Sequence, residues 1–411
     1  MNIDDLIRDT LREQARSAGP AHPGLAGQVL ARRARRRRAG FTVAAIVAIA
    51  AIAAAVTPGV LDSGDKHDPA DRHRSPVVNR IESHPSQSPP RDRIAAGNQV
   101  LAAYYTTRTV PQPDHDEIQT RTYSLLNPGT GRYTKDTRWS DAAVVPGLKT
   151  AIVVEQALPA ERVGILDLGT GKITRWIPVP HGAGTVALSP NGRKLVITTY
   201  DKNPNRLFWA NRGAVIEDDG GSQQPQPEYS RTGFAVVDLP SGAAQWHALA
   251  PDTSMLGSPD SGAALQFNAD GTLLAERSPS LHLVFHRLDG ATVPAPPKEE
   301  HEDPAIAPAG LSPDGTLMAG DFADKDGTTA TEVLDPATGK RAAVQRGQQL
   351  LAWADNSHLI AWDTTGGTSE FANRLVIVTV GSNEETPLTG TQDTKTGEPS
   401  PAHWEPIFTH R

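Results

Sequence analysis

The chain has 411 residues, no cysteine and a formal net charge of −7 at pH 7. The length allows more than one domain, and the lack of cysteine excludes disulfides, cysteine-ligated zinc sites and thiol nucleophiles. Residues 1–40 hold nine arginines and four acidic residues, so the rest of the chain carries all of the acidic excess. That excess argues against nucleic acid as a partner of the larger part.

Residues 1–38 form the first predicted segment, which is basic and cytoplasmic and begins with a short helix at residues 3–16. Apolar residues share one face of this helix at helical spacing: Ile3, Leu6, Ile7 and Leu11. A helix of about 14 residues is marginal alone, so Leu6, Ile7 and Leu11 are candidate partner-binding residues. A disordered basic tail is the alternative.

A charge-free run follows at residues 39–61. Since roughly 20 helical residues cross a hydrocarbon core of about 30 Å, the run predicts one transmembrane helix. Six arginines just before it are expected to stay in the cytoplasm and to fix the topology: Arg32, Arg33, Arg35, Arg36, Arg37 and Arg38. No aromatic residue is interleaved with them, so nucleic-acid binding is not predicted. A cleaved signal peptide is the alternative, although the preceding segment is long for one.

The order IDDLIRDTLREQARSA, then GLAGQVLARRARRRRAG and a single apolar run resembles membrane proteins of high-GC actinobacteria. Some of those proteins are associated with extracytoplasmic-function sigma factors, so the resemblance implies a cytoplasmic regulator such as a sigma factor as a partner. It covers about the first 60 residues. The chain departs from zinc-containing anti-sigma domains, because their His-x-x-x-Cys-x-x-Cys signature requires cysteine.

Residues 62–93 are rich in Pro, Ser, Asp, Arg and His and predict a flexible linker with an end-to-end distance of roughly 30 Å. From residue 94 to 411, short apolar strands alternate with turns of Asn or Asp with Gly or Ser. One hairpin recurs about every 40 to 45 residues once an insertion is set aside, a period typical of four-stranded propeller blades. Its turn residues are Gly147, Gly192, Gly271, Gly315 and Asn356.

We therefore predict an all-β, six-bladed β-propeller, with seven blades as the alternative, after a short cytoplasmic helical segment and one transmembrane helix. One blade is incomplete, and we expect residues 99–109 and 402–411 to pair and close the ring. The turns LSPNG (188–192) and LSPDG (311–315) resemble the WD40-like repeats of TolB-type propellers. This resemblance implies the fold and not an activity.

The sequence has no catalytic, cofactor-binding or metal-binding pattern. His282 and His286 lie about 13 Å apart along a strand, too far to share one metal directly, and are interpreted as ordinary sheet positions. The loop of Glu299, Glu300, His301, Glu302 and Asp303 lacks a calcium-loop order and is predicted to be solvated. Aspartates recur at equivalent turns and are predicted to form them: Asp270, Asp314 and Asp355.

The insertion from Asp201 to Arg231 is the best candidate for binding, because Leu207, Phe208 and Trp209 form an apolar cluster within polar sequence. A tolerated flexible insertion is the alternative. We expect a single-pass protein of the cell membrane whose extracytoplasmic propeller binds or senses an envelope protein or a glycan. Signalling to a cytoplasmic regulator is an extension of this hypothesis. A propeller lyase or hydrolase, with its site at the central channel, is the other class considered.

Overall fold

The computed structural model describes residues 81–208, 226–227, 230–249, 264–277, 283–303, 307–323, 330–364, 371–392, 394–395, 398–399 and 403–411. The predicted cytoplasmic segment, the predicted transmembrane helix and residues 62–80 lie outside these ranges. Within the ranges, no helix is long and apolar enough to cross a membrane. The described part is all-β, with one short 3-10 turn at Pro113–His115.

The strands are numbered in chain order. The first nine are β1 (Ala95–Ala96), β2 (Gln99–Pro111), β3 (Glu117–Asn127), β4 (Arg132–Asp136), β5 (Trp139–Val144), β6 (Thr150–Glu155), β7 (Ala160–Asp167), β8 (Lys172–Leu188) and β9 (Lys194–Tyr200). The next nine are β10 (Arg206–Phe208), β11 (Gln226–Pro227), β12 (Arg231–Asp238), β13 (Ala244–Ala248), β14 (Gln266–Phe267), β15 (Leu273–Arg277), β16 (Leu283–Arg287), β17 (Thr292–Val293) and β18 (Met318–Phe322). The last nine are β19 (Ala330–Leu334), β20 (Arg341–Arg346), β21 (Gln349–Trp353), β22 (His358–Thr364), β23 (Asn373–Thr379), β24 (Glu385–Pro387), β25 (Thr394–Lys395), β26 (Glu398–Pro399) and β27 (Trp404–His410).

Five antiparallel sheets follow one another along the chain. The sheet that contains both ends of the domain, here called the seam sheet, has the core order β4-β3-β2-β27 and is extended by β1, β10 and β11. The double sheet has the order β13-β12-β9-β8-β7-β6-β5. The third sheet is β14-β15-β16-β17, the fourth is β18-β19-β20, and the fifth is β21-β22-β23-β24. Strands β25 and β26 form a separate pair.

Strand β8 has 17 residues and belongs to two four-stranded groups at once. Its first part pairs with β7 and its last part pairs with β9. The two parts meet near Gly182, whose φ of 76° lies in the left-handed region and whose Cα has Pro159 and the Tyr200 carbonyl close by. A side chain at this position would be both strained and obstructed. Glycine therefore permits the change of direction that makes one sheet of the two groups.

Apolar clusters join most of the consecutive sheets. One apolar cluster joins the seam sheet to β5 and β6, and a second joins it to the fifth sheet. Further clusters lie within the double sheet, between the double and third sheets, and between the fourth and fifth sheets. The described residues thus form a propeller-like ring of sheets. The predicted number of blades stays a prediction.

The predicted closure between the two ends of the domain is confirmed. Strand β27 pairs antiparallel with β2, from Gln99 opposite His410 to Thr106 opposite Trp404. Because these strands lie at opposite ends of the domain sequence, their backbone hydrogen bonds bring both ends of the domain into one sheet. This pairing covers the strand edges of β2 and β27 that would be exposed at this position if the ring were open.

The contacts of the domain begin earlier in the chain than residue 94. Residues 81–93, which the sequence assigned to the linker, form bridges to the sheets, with Glu82 opposite Ala95 and His84 opposite Thr389. Their side chains are largely polar, and their ordering comes from backbone hydrogen bonds to the sheets. The hydrophobic pattern used in the sequence analysis does not report such bonds.

Candidate functional site

Strands β2 and β3 form a hairpin that extends beyond the rest of the seam sheet. Along β2 the first six residues are buried, whereas Thr107, Arg108 and Thr109 are exposed. Strand β27 ends its pairing at Thr106, and beyond that point β2 pairs with β3 alone among the described residues. The outer half of the hairpin, residues 107–121, therefore stands clear of the apolar clusters and forms a projecting surface.

The tip of the hairpin is tied to the start of the insertion. The backbone N–H of Gln112 donates to the Asp116 carbonyl at 2.7 Å and closes the turn. The Asp116 side chain is buried, and its Oδ2 accepts from Nε and Nη2 of Arg206 at 3.1 and 2.8 Å. Hydrogen bonds between charged groups are shorter and stronger than neutral ones, so this pair fixes the tip.

Strands β10 and β11 continue the projecting surface sideways. Leu207 lies opposite Glu117 of β3 and opposite Pro227 of β11, and Phe208 lies opposite Gln226. The Arg206 guanidinium lies 5.2 Å from the centre of the Phe208 ring. Two of the three apolar residues predicted in the insertion thus lie on a strand of the seam sheet, and Trp209 lies outside the described residues. We call the outer hairpin with β10 and β11 the projecting sheet.

A partly buried polar cluster supports the base of the projecting sheet. Asp141 of β5 accepts from Arg121 Nη1 and from the Tyr123 hydroxyl, both at 3.0 Å, and its other oxygen accepts from the Val186 N–H at 2.9 Å. Arg121 also lies over the Tyr105 ring at 4.8 Å. Burial, together with the nearby Asp141 carboxylate, raises the pKa of Tyr123 well above its usual value. This cluster joins the seam sheet to both four-stranded groups of the double sheet.

The far end of the insertion is held by a second buried ionic group. Arg231, the first residue of β12, pairs with Glu276 of β15, whose other oxygen lies 2.8 Å from Nε2 of His286. All three residues are buried. Burial alone would raise the pKa of Glu276, but the hydrogen bond with His286 and the charge of Arg231 lower it. We call these residues the ionic triad. Each end of the insertion is therefore held by an arginine–carboxylate pair, and the pair of Arg231 and Glu276 is buried.

No pattern in the sequence marks Asp116, Arg206, Arg231 and Glu276 as the members of two ion pairs. Each partner pair is separated by 90 or 45 residues, and none of the four residues belongs to a recognised motif. His286 was interpreted as an ordinary sheet position, and the structure gives it a specific partner in Glu276. His282 lies outside the described residues. Among those that are described, no group of three or more His, Cys, Asp or Glu residues could hold a metal ion.

The loop around His301 differs from its prediction as a solvated acidic loop. Glu299 is buried, and its carboxylate accepts from Asn268 Nδ2 at 3.0 Å. Burial and the neighbouring Glu299 raise the pKa of Glu302 to about 7. Glu300 and His301 are exposed. The loop fills the space between the third and fourth sheets, so burial was enforced by its position in the ring and not by its composition.

The repeated aspartates form turns, as predicted. The Oδ1 atoms of Asp270, Asp314 and Asp355 accept from the backbone N–H two residues later, at 2.8, 3.1 and 2.8 Å. Hydrogen bonds of this kind stabilise tight turns. The candidate partner-binding residues Leu6, Ile7 and Leu11 and the six topology-setting arginines all lie outside the described residues.

The sequence matches no protein-family model and no curated protein. Among solved structures, the chain is similar to hydrazine synthase of Kuenenia stuttgartiensis, at 13% identity and a TM-score of 0.30, over 59% of this chain and 63% of that one. It is also similar to a chain of the mitotic checkpoint complex, at 14% identity and a TM-score of 0.36, over 87% of this chain and 98% of that one. The chain thus spans less than two thirds of the hydrazine synthase chain.

Proposed function

We propose that this chain is a single-pass membrane protein whose extracytoplasmic six-bladed propeller binds a partner in the cell envelope through the projecting sheet. The apolar run at residues 39–61 and the arginines before it support the anchor and its orientation. A count of six is supported if β8 is counted in two groups and the fourth sheet is completed with the bridge between Leu311 and Met318. A propeller-like fold suits a binding module. The lyase or hydrolase hypothesis gains no support from the described residues and is not proposed.

The projecting sheet carries this proposal. Its tip is fixed by the Asp116–Arg206 pair, its base by the Arg121–Asp141 pair, and the far end of the insertion by Arg231 and Glu276. A surface fixed at several points before binding loses little conformational freedom when a partner binds. The ion pairs therefore provide a preorganised platform that stands clear of the packed sheets.

The free part of β2 favours a protein as the partner. Thr107 to Pro111 have no strand on the side away from β3 among the described residues. Such an edge presents backbone N–H and C=O groups that pair readily with an extended segment of another chain. A glycan offers no matching row of amide groups. We therefore favour strand addition by an envelope protein.

Site-specific photo-crosslinking in cells tests the proposal. We expect a photoreactive residue at Thr109 to give a defined adduct with an envelope protein, and the matched exposed strand position Thr174 of β8 to give none. Asp116→Ala should remove the adduct at Thr109, because the tip loses its tie to Arg206. Equal adducts at both positions, or no adduct at Thr109, would contradict the proposal.

Coupling to a cytoplasmic regulator is the second part of the proposal, and the apolar stripe of the N-terminal helix supports it. We expect replacement of Leu6, Ile7 and Leu11 by Asp to abolish association with that regulator, since a charged stripe cannot pack against a partner. Arg12→Asp changes the charge on the opposite face of the helix and is the control. Co-purification of the intact chain from cells provides the measurement, and unchanged association of the triple variant would exclude this helix as the contact.

A further inference from the structure

Residues 81–93, here called the strap, lie against the joint between β2 and β27. On the fifth-sheet side, the His84 N–H donates to the Leu388 carbonyl at 2.9 Å, and the Gly390 N–H donates to the Gln87 carbonyl at 2.8 Å. On the seam-sheet side, the Arg93 N–H donates to the Gly131 carbonyl at 2.8 Å. One segment is therefore bonded to both sheets that meet at the closure.

The strap also contacts the aromatic core of the closure. Trp404 of β27 is fully buried, and its ring packs edge-on against Tyr104 and Trp362. The Trp404 Nε1–H donates to Ser88 Oγ at 3.3 Å, and the Tyr104 hydroxyl donates to the Pro90 carbonyl at 3.0 Å. Buried polar atoms of aromatic side chains require such partners. The strap supplies them for one residue on each of the two closing strands.

A single side chain braces the strap internally. Gln87 is buried, and its Oε1 accepts from the Arg91 and Asp92 N–H groups at 2.7 and 3.1 Å. Its Nε2 donates to Asp92 Oδ2 at 2.6 Å. Glu82 adds an ion pair with Arg93 at 2.9 Å and lies 3.7 Å from the final residue, Arg411. The strap thus has a defined shape that depends on Gln87, and it reaches the last residue of the chain.

We propose that the strap is a latch that holds β27 against β2, and that displacement of the strap from its N-terminal side opens the closure of the ring. The chain that precedes Ile81, the first described residue, leads directly to the bridges of Glu82 and His84. A pull on that chain therefore acts first on the strap and next on Trp404 and β27. The latch makes the closure the part of the domain that responds to a pull on the preceding chain. This inference does not depend on the partner proposed for the projecting sheet.

Hydrogen–deuterium exchange on the full chain in detergent tests the latch. Gln87→Ala should increase the exchange rate of the β27 amides at least tenfold and leave the β16 amides within twofold of the unmodified protein. Gln345→Ala is the matched control, since Gln345 is also buried and hydrogen-bonded to backbone, at Ser382 and Gly381. The control should not accelerate β27. Unchanged β27 exchange in Gln87→Ala, or equal acceleration of β16, would overturn the proposal.

A reversible staple provides an independent test that does not rely on a destabilising change. The chain lacks cysteine, so the double variant His84→Cys with Thr389→Cys places its only two thiols on facing positions of one bridge. Oxidation should slow exchange of the β27 amides at least threefold relative to the reduced protein, and β16 should not respond. If oxidation formed the disulfide without slowing β27, the strap would not control the closure.

Discussion

At the closure, the seam and fifth sheets meet where the Trp404 ring packs against those of Tyr104 and Trp362. Across the ring, the double and third sheets meet through a smaller apolar cluster and the ionic triad, and the loop with Glu299 and Glu302 lies between the third and fourth sheets. Burial of rings is independent of pH, whereas buried ionisable groups change the free energy of unfolding as they titrate. The ring therefore has an apolar joint at its closure, here called the apolar side, and buried ionisable groups at the joints across from it.

The largest effect is expected on the apolar side. Trp404→Ala removes a fully buried ring that packs against two others, and we expect the free energy of unfolding to fall by about 3 to 5 kcal/mol. Denaturant unfolding monitored by circular dichroism measures it. Trp246→Ala is the matched control, because that ring is 36% exposed and should matter much less. Equal losses in the two variants would contradict a closure held by aromatic packing.

The next effect belongs to the ionic triad. Arg231→Met leaves Glu276 buried without its cation, and we expect a loss of about 3 kcal/mol at pH 7. Because the pKa of Glu276 is lowered in the folded state, the stabilisation by the triad is present above the usual glutamate pKa and disappears as pH falls through the lowered value. The difference between variant and unmodified protein should therefore shrink below about pH 4.

Unfolding free energies measured at pH 3.5 and pH 7 test this dependence. Arg287→Met is the control, since Arg287 and Asp289 form an ion pair with both side chains 59% exposed. Exposed pairs contribute about 0 to 1 kcal/mol. A loss in Arg231→Met that is the same at both pH values would show that its cause is packing and not charge.

A smaller effect with the opposite sign is expected at Glu302. Its pKa of about 7 exceeds that of an unfolded glutamate, which is near 4.3. The free energy of unfolding is therefore highest below about pH 4.3 and falls as pH rises from there to about 7. Glu302→Gln removes this loss, and we expect it to stabilise the protein by about 1 to 3 kcal/mol at pH 8 and to have little effect at pH 4.

Thermal unfolding at the two pH values measures the effect of Glu302→Gln. The exposed neighbour Glu300 provides the control Glu300→Gln. If both variants behaved alike, the burial of Glu302 between the sheets would not be the cause.

The smallest effect returns to the apolar side. The Tyr133 hydroxyl donates to the Leu101 carbonyl at 2.7 Å, and Tyr133→Phe should cost about 1 kcal/mol of unfolding free energy, the usual contribution of one hydrogen bond. Tyr105→Phe is the control, because no hydrogen bond of the Tyr105 hydroxyl is found among the described residues. A null result for Tyr133→Phe would assign the stability of this side to ring packing alone.

The repeat in the sequence predicted the strand-rich, propeller-like fold and the turns of Asp270, Asp314 and Asp355, because local turn chemistry and strand alternation repeat at a fixed period. It also predicted the partner of residues 99–109, since an incomplete blade needs strands from the other end. Ion pairs between the side chains of distant residues were not predictable from the repeat. Arg206 finds Asp116, and Arg231 finds Glu276, only because the ring brings separate turns together.

The binding role of the insertion stays a prediction, and the structure bears only on where its residues lie. The apolar cluster of Leu207 and Phe208 marked the insertion, and the structure adds that these residues continue a sheet. The ordering of residues 81–93 was missed for a physical reason: their contacts are hydrogen bonds of the backbone and of polar side chains, which a hydrophobic pattern does not report. Burial of Glu299 was missed because it depends on the gap between two sheets and not on the loop itself.

Pairing between β2 and β27 has a consequence for the order of events during synthesis. Strand β2 ends at Pro111 and β27 begins at Trp404, so one edge of β2 stays open while the residues between them are produced. An open edge of this kind is a site for pairing with other chains, and the ring cannot close before β27 has been produced. Removal of the last eight residues would leave this edge of β2 open in every molecule, because the seven residues of β27 that pair with it would be missing.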